Sequence, residues 1–232
     1  MANPQKPLRA ALIGISSRAV TSWGARAHLP NFLIAGGRSR YTITAFLNSS
    51  VEAAQAAIKL NNLPPTIKAY GNPEELAKDP DVDVVICNTR VDQHYATILP
   101  SIRAGKDVFV EWPIAQNMEQ IDELVQAARE SGSRVAVGLQ RRFLPQVLKV
   151  KEIVRSGALG KVLSVDVRAF GGRVDRDKLP AGLKYFTDRS VGGNPVTIGV
   201  GHCECFPSGE MLDANALGSV GLCPFDCGRA GS

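Results

Sequence analysis

The chain has 232 residues, 44% hydrophobic and 21% charged, an ordinary globular profile with length enough for one full domain and part of another. Its net charge of +5 is scattered in singles and pairs such as Arg141-Arg142, and only 6% of residues are aromatic, which excludes direct nucleic-acid binding as the leading expectation. No stretch approaches the roughly 18 to 20 apolar residues of a membrane span, and Met1 to Ala10 has no apolar signal core, so an intracellular, cytoplasmic protein is expected.

In chain order, short β-rich runs alternate with helical patterns. Arg9 to Ile15 is an apolar run that breaks at Gly14 into a loop rich in Ser, Thr and Gly, and Trp23 to Ala35 carries Ala27, Leu29, Phe32 and Leu33 in a loosely helical pattern. Tyr41 to Leu47 predicts a second strand, and Ser49 with Glu52 has capping-box spacing before an alanine-rich helix, Val51 to Leu60. A brief run at Thr66 to Tyr70, a helix from Pro73 to Lys78 and a buried strand from Val82 to Cys87 follow. Cys87 reads as a reduced core thiol. Tyr95, Ile98, Leu99 and Ile102 share one helical face that stops at Gly105. Val108 to Val110 is the next strand; Met118, Ile121, Leu124, Val125 and Ala128 define a helix ended near Gly132, and Arg134 to Leu139 a further strand.

This alternation predicts an α/β fold, a doubly wound parallel sheet covered on both faces, with ligands in the crevice beyond the carboxyl ends of the strands. Gly14, Ser16, Ser17, Asn48, Asn88, Thr89, Glu111, Trp112, Gln140 and Arg141 all follow strands directly. Gly14-Ile15-Ser16 alone is a weak dinucleotide fingerprint, because only the first glycine of G-x-G-x-x-G is present. The strand ending Val108-Phe109-Val110-Glu111-Trp112-Pro113 is more informative: an apolar run finishes on an acid, an indole and a proline.

Asn88-Thr89, His94, the approach Ala104-Gly105-Lys106-Asp107-Val108, Glu111-x-Pro113, Val137-Gly138 and Arg141-Arg142-Phe143-x-Pro145 resemble the glucose-fructose oxidoreductase, inositol dehydrogenase and rhizopine-catabolism (Gfo/Idh/MocA) family, over residues 8 to about 202. The resemblance implies an N-terminal Rossmann domain for NADP or NAD and a C-terminal α/β domain for a sugar-like small-molecule substrate. Ser156 to Val162 looks like the entry to that second domain, after a helix from Pro145 to Arg155 and before a strand to Phe170, and Gly192-Gly193-Asn194 through His202 resembles the segment that leads to an active-site histidine. The expected divisions are a dinucleotide-binding domain at 1–143, a partial substrate or dimerisation domain at 144–202 and an irregular tail at 203–232.

The departures fall at the chemistry. Most members read Glu-Lys-Pro where this chain reads Glu111-Trp112-Pro113, and the family's aspartate in the glycine-rich segment stands here as Thr197. An indole N–H donates a hydrogen bond but cannot exchange a proton. Together with the long first loop running to Trp23-Gly24-Ala25-Arg26-Ala27-His28-Leu29-Pro30, this is similar to the fungal branch that contains the galactose-pathway transcriptional co-repressor, which binds a dinucleotide without being known as a catalyst.

Two function classes follow. One is an NAD(P)-dependent oxidoreductase acting on a polyol, sugar or related secondary alcohol, with His202 or Tyr185 replacing the missing lysine as proton partner. The other is a non-catalytic dinucleotide-sensing regulator with a protein partner, active in the nucleus. Glu111 is assigned to cofactor contact against the plainer reading of an exposed strand end. Trp112 is core or stacks near the nicotinamide; His28 and His94 cap and pack or meet a ligand; Arg18 is a solvated charge or meets the pyrophosphate. Asn48, where an acid would select NAD, repels no 2′-phosphate. Four cysteines, Cys203, Cys205, Cys223 and Cys227, crowd a tail that lacks either period and reads as truncated or altered against the family; their spacings are not those of a zinc site, and no metal is expected. Homo-oligomers are common in the family but use a sheet this chain has only in part.

Overall fold

The computed structural model describes residues 6–16, 23–161, 163 and 179–202, and its strands are β1 (Leu8–Ile13), β2 (Tyr41–Leu47), β3 (Lys68–Tyr70), β4 (Val84–Cys87), β5 (Asp107–Glu111) and β6 (Val135–Gly138). They form one parallel sheet in the order β3-β2-β1-β4-β5-β6. The chain winds outward from β1 to β3, then returns to lay β4 against the other side of β1. The doubly wound architecture read from the alternating pattern is the one observed.

Side chains along a strand point alternately to the two faces, and both faces are packed. Ala11, Ile13, Val85, Cys87, Val108 and Val110 turn to one core, where Ile98, Ile102 and Leu124 of α5 (Val91–Arg103) and α6 (Met118–Ser131) meet them. Ala10, Leu12, Phe46, Val84 and Ile86 turn to the other, against Ala54, Ala57 and Ile58 of α3 (Val51–Leu60) and Leu29 of α1 (Leu29–Leu33). Burying each large apolar side chain contributes about 1.5–3 kcal/mol. That explains why β1 and β4 read as continuous apolar runs rather than alternating ones.

The helix ends follow their capping chemistry. Ser50, not Ser49, caps α3: its backbone is extended and its Oγ accepts the Ala53 N–H at 3.1 Å, so the expected pairing of Ser49 with Glu52 is one residue out of register. Asn72 accepts from Glu74 and Glu75 at the start of α4 (Pro73–Lys78), Asn117 caps α6, and Gly132 ends α6 in the left-handed region at φ 75°. The helix expected over Trp23 to Ala35 is broken instead into a π-turn at Gly24–His28, then α1, then α2 (Ala35–Arg38). Pro30 accounts for the change ahead of α1, because it has no N–H to continue an α-helical ladder onto the Arg26 carbonyl, and Ile34, extended at ψ 162°, separates α1 from α2. α7 (Pro145–Arg155) has its expected limits.

The amino-terminal edge of the sheet is tied by charge. Arg9 grips Asp83 with its backbone N–H and guanidinium at 2.7–3.0 Å, and Lys68 Nζ and Tyr70 OH both donate to the buried Asp79 carboxylate at 2.8 Å. Lys106 Nζ donates to the Asp79 and Val82 carbonyls. Beyond α7, two 3₁₀ segments at Ala181–Thr187 and Arg189–Val191 lead to a π-helix at Pro195–Val200. Ser17, Arg18, the strand expected to reach Phe170 and the whole of 203–232 with its four cysteines lie outside the described residues.

Candidate functional site

Register places the candidate residues at one level. Ile13 pairs with Leu47 and with Cys87, and Cys87 pairs with Val110, so Gly14, Asn48, Asn88 and Glu111 stand side by side, Glu111 paired in turn with Gly138 and Trp112 one residue beyond. The β1/β4 boundary is also where the strand order reverses, the place at which open α/β sheets bind ligands. Gly14 has φ 81°, and a Cβ there would lie 2.8 Å from Thr89 Cγ2 and 3.1 Å from the Asn88 carbonyl carbon. Only glycine fits both the left-handed backbone and the close approach. Half-buried Ser16 follows at the mouth of the first loop.

Asn48 holds that loop. Its Nδ2 donates to Ile15 O at 3.1 Å and Ala53 O at 3.2 Å, joining the end of β1 to the first turn of α3. Asn88 presents Oδ1 as a buried acceptor with no partner among the described residues. Such an atom is costly unless a ligand or water satisfies it.

Glu111 is a hub. Its Oε1 accepts from Trp23 Nε1 at 3.1 Å and lies 2.5 Å from His28 Nε2, while the His28 ring tilts against Phe109 two residues back on the same strand face. Gly138 leaves room for the carboxylate, since a Cβ there would meet Glu111 Oε2 at 3.0 Å. Gly24 lets the π-turn lie down on the sheet: a Cβ would stand 2.8 Å from Ile15 Cδ1 and 3.0 Å from Asn88 Cβ. Trp23, His28 and Gly24 are thus parts of the site that no fingerprint spacing marks. The sequence marked this segment by its resemblance to the fungal branch and offered His28 as a ligand candidate, but not the meeting of Trp23 and His28 on Glu111, five residues apart in a π-turn rather than on a 3.6 period.

His94 is 2% exposed and joins two strand ends, with Nδ1 2.8 Å from Pro113 O and Nε2 2.9 Å from Thr89 O. Burial holds its pKa below the usual histidine value, against the pull of the two carbonyls and of Glu111. It packs and positions; both ring nitrogens face protein.

The segment 179–202 is fastened along the same crest. Gln116 Nε2 donates to Ser190 O at 2.6 Å, and Trp112 Nε1 donates to Thr197 O at 2.6 Å. Trp112 is therefore engaged with this segment by its one polar atom. Thr197 is held within its own turn: Oγ1 accepts the Asn194 N–H and donates to Gly192 O, each at 3.0 Å, and Asn194 Oδ1 completes a capping box. His202 follows, 9% exposed, with Nδ1 buried and unpartnered among the described residues. Burial first, then nearby Arg141, holds its pKa below the usual value, while Glu111 acts in the opposite direction. Exposed Arg141 and Gln140 sit in a 3₁₀ turn at Gln140–Phe143. Tyr185 stands by Gly193, where a Cβ would be 3.6 Å from its Cε2; its ring faces the Arg90 guanidinium at 5.2 Å and Phe186 edge-on, and burial raises its pKa.

Among the described residues no three His, Cys, Asp or Glu side chains are grouped to hold a metal, and no helix is long and apolar enough to cross a membrane. Residues 8–139 match the model of the oxidoreductase family with an NAD-binding Rossmann fold. The chain belongs to the Gfo/Idh/MocA family. Residues 145–205 match the model of the Gal80p C-terminal domain, which places this member beside the fungal Gal80 branch. Among its Gfo/Idh/MocA relatives, the dehydrogenase aclE of Aspergillus oryzae is 42% identical over 78% of this chain and 46% of its own length. The galactose/lactose metabolism regulatory protein GAL80 of Saccharomyces cerevisiae is 27% identical over 84% of this chain and 45% of its own. The crystal structure of the super-repressor mutant of Gal80p (E351K) superposes with a TM-score of 0.75 at 26% identity, covering 86% of this chain and 52% of that one. This chain spans about half the length of the curated relatives it matches.

Proposed function

We propose that the chain binds NADP or NAD at the tips of β1, β4 and β5 and acts as an oxidoreductase on a sugar, polyol or related secondary alcohol, with His202 as the proton partner. The observation that carries this reading is a pair of buried polar atoms without partners among the described residues, Asn88 Oδ1 just past β4 at the point where the strand order reverses and His202 Nδ1, whose charge Glu111 at the tip of the adjoining β5 favours. Gly14 supports close approach of a dinucleotide backbone; Ser16 and, outside the described residues, Ser17 and Arg18 are assigned to its phosphates, and Thr89, His94, Glu111, Trp112, Gln140 and Arg141 to the nicotinamide side. The β2 tip carries Asn48-Ser49-Ser50 and no acid, which supports tolerance of a 2′-phosphate as well as of NAD.

When bound, the nicotinamide supplies hydride chemistry. The chain's own part is to hold the alcohol and take its proton. A neutral His202, kept so by burial, accepts a proton at an imidazole nitrogen, and Glu111 favours the resulting charge. Tyr185, protonated across the neutral range, is the second donor to be tested, at the rim beside Arg90. The division proposed is a dinucleotide domain to residue 143, a second domain from 144 to 202 and a tail beyond, and the ranges of the two family models support the first boundary.

A regulator is the second reading, favoured by one observation: the indole N–H that replaces the expected lysine is bonded to Thr197 O and offers no exchangeable proton to a substrate. In that version nucleotide occupancy biases a surface for a protein partner, in the nucleus rather than the cytoplasm. Both tryptophans of the chain are at this site, so nucleotide titration is read directly by tryptophan fluorescence. The enzyme reading predicts NADPH or NADH turnover with polyols or aldoses, abolished in His202→Ala. Tight nucleotide binding with no turnover on any substrate selects the regulator.

A further inference from the structure

The Thr197 carbonyl, in the π-helix at Pro195–Val200, takes a donor from another element of the fold. Gly201 N–H bonds Val196 O at 3.2 Å and His202 N–H bonds Ile198 O at 3.3 Å; Thr197 O, between them, takes the Trp112 indole N–H at 2.6 Å. The donor comes from the tip of β5, 85 residues earlier in the chain. Helix carbonyls at a C-terminus need such partners, and here a side chain of the nucleotide domain supplies one.

The fit is two-sided. Gly201 is pressed on the indole, where an added Cβ would stand 2.6 Å from Trp112 Nε1 and 3.0 Å from Cε2, as well as 2.3 Å from Thr197 O. Its φ of −57° is ordinary, so glycine is required here by space and not by backbone conformation. The next residue is His202, whose buried Nδ1 has no partner among the described residues and whose charged neighbours are Glu111 on β5 and Arg141 on the 3₁₀ turn after β6.

We infer that Trp112 is a positioning residue for His202: the indole clamps the end of the 195–200 helix through Thr197 O, Gly201 is its obligatory complement, and together they set where the imidazole stands beside Glu111. The substitution of tryptophan for lysine at the strand tip is on this view a tertiary joint. It exchanges a side chain that would reach a ligand for one that fixes the side chain that does. This rests on the reading of His202 as the ligand-facing proton partner, but the joint itself can be tested without turnover.

The test follows the histidine Cε1–H resonances by NMR across pH in the full chain, with the His202 signal identified by its loss in His202→Gln. In Trp112→Phe, which keeps an aromatic ring and removes the N–H, the His202 midpoint moves up toward the ordinary value of about 6.5 as the imidazole gains solvent. Gly201→Ala moves it the same way, and the double variant adds little to either single change, as for two halves of one contact. Thr197→Val, which loosens the same helix from its other end and leaves the indole in place, serves if Trp112→Phe does not fold. Where turnover is present, it falls about tenfold or more through misplacement of the proton partner. A folded Trp112→Phe or Thr197→Val variant with an unmoved His202 titration overturns the joint. A moved titration in a protein that turns over no substrate supports the joint and contradicts the enzyme reading.

Discussion

Glu111 is the residue on which the nucleotide assignment turns. One carboxylate oxygen serves both the Trp23 indole and His28, so the acid fixes the first-loop helix over the strand tips. Glu111→Gln keeps the shape and removes the charge. It is expected to weaken NADPH and NADH binding by about tenfold, since one charge-assisted hydrogen bond contributes about 1.5–3 kcal/mol, and isothermal titration measures it directly. Gly14→Ala acts by a different route: a left-handed backbone for a non-glycine residue costs about 1–2 kcal/mol, and the new Cβ collides with Thr89. A lowered melting temperature together with lost nucleotide binding is the expected result. On the proposed oxidoreductase reading, His202 sets the pH dependence of alcohol oxidation. Its pKa lies below the ordinary histidine value, so the neutral base persists through the neutral range. The rate is expected to hold from neutral pH down and then fall as pH passes below that value; a rate already falling between pH 8 and 7 would contradict the assignment.

At the scale of elements, the first helix and the Asp79 network show what patterning conveys and what it hides. Helix and strand periods marked β2, α3 and α4 at their observed limits, because each is bounded by its own cap or turn residues, and the family resemblance supplied those of α7. They did not show the π-turn, whose geometry is set by Pro30 and by the close seat of Gly24 on Asn88. Nor did they show Asp79, an acid in a loop whose partners Lys68, Tyr70 and Lys106 arrive only when β3, β4 and β5 are assembled. Burial opposes ionisation of Asp79, and the bonds from Lys68, the Asp81 N–H and Tyr70 outweigh it, so its pKa is depressed. Asp83 is depressed by Arg9. Depressed carboxylates contribute stability above their unfolded pKa of about 3.9, and that stability is lost as pH falls through the lower folded values. Asp79→Asn is therefore expected to lower the urea midpoint at pH 7, with the gap to the unmodified protein closing toward pH 3.

At the scale of the whole molecule, a six-stranded sheet with two filled faces gives the site its rigidity. Ile98, fully buried under that sheet, is expected to cost about 2–5 kcal/mol when cut to alanine, read as a lowered urea midpoint with the site chemistry untouched. Most of this architecture was legible: the switch point follows from the order of strands and helices, and Glu111 stood out as an acid on the end of an apolar run. The site's closure was not legible, because Trp112 meets Thr197 and Gly201 across 85 and 89 residues of chain, and nothing local in the sequence announces that contact. Family membership fixes the fold; the proposed division between dehydrogenase and regulator turns on whether His202 serves a substrate. The central claim, that the tips of β1, β4 and β5 hold a dinucleotide, is tested most directly by a thermal melt with saturating NADPH or NADH. At a hundredfold excess over the dissociation constant the folded state gains about 2.7 kcal/mol, a rise in melting temperature of several degrees accompanied by quenched tryptophan fluorescence. An unchanged melt and unchanged fluorescence with both nucleotides would contradict it.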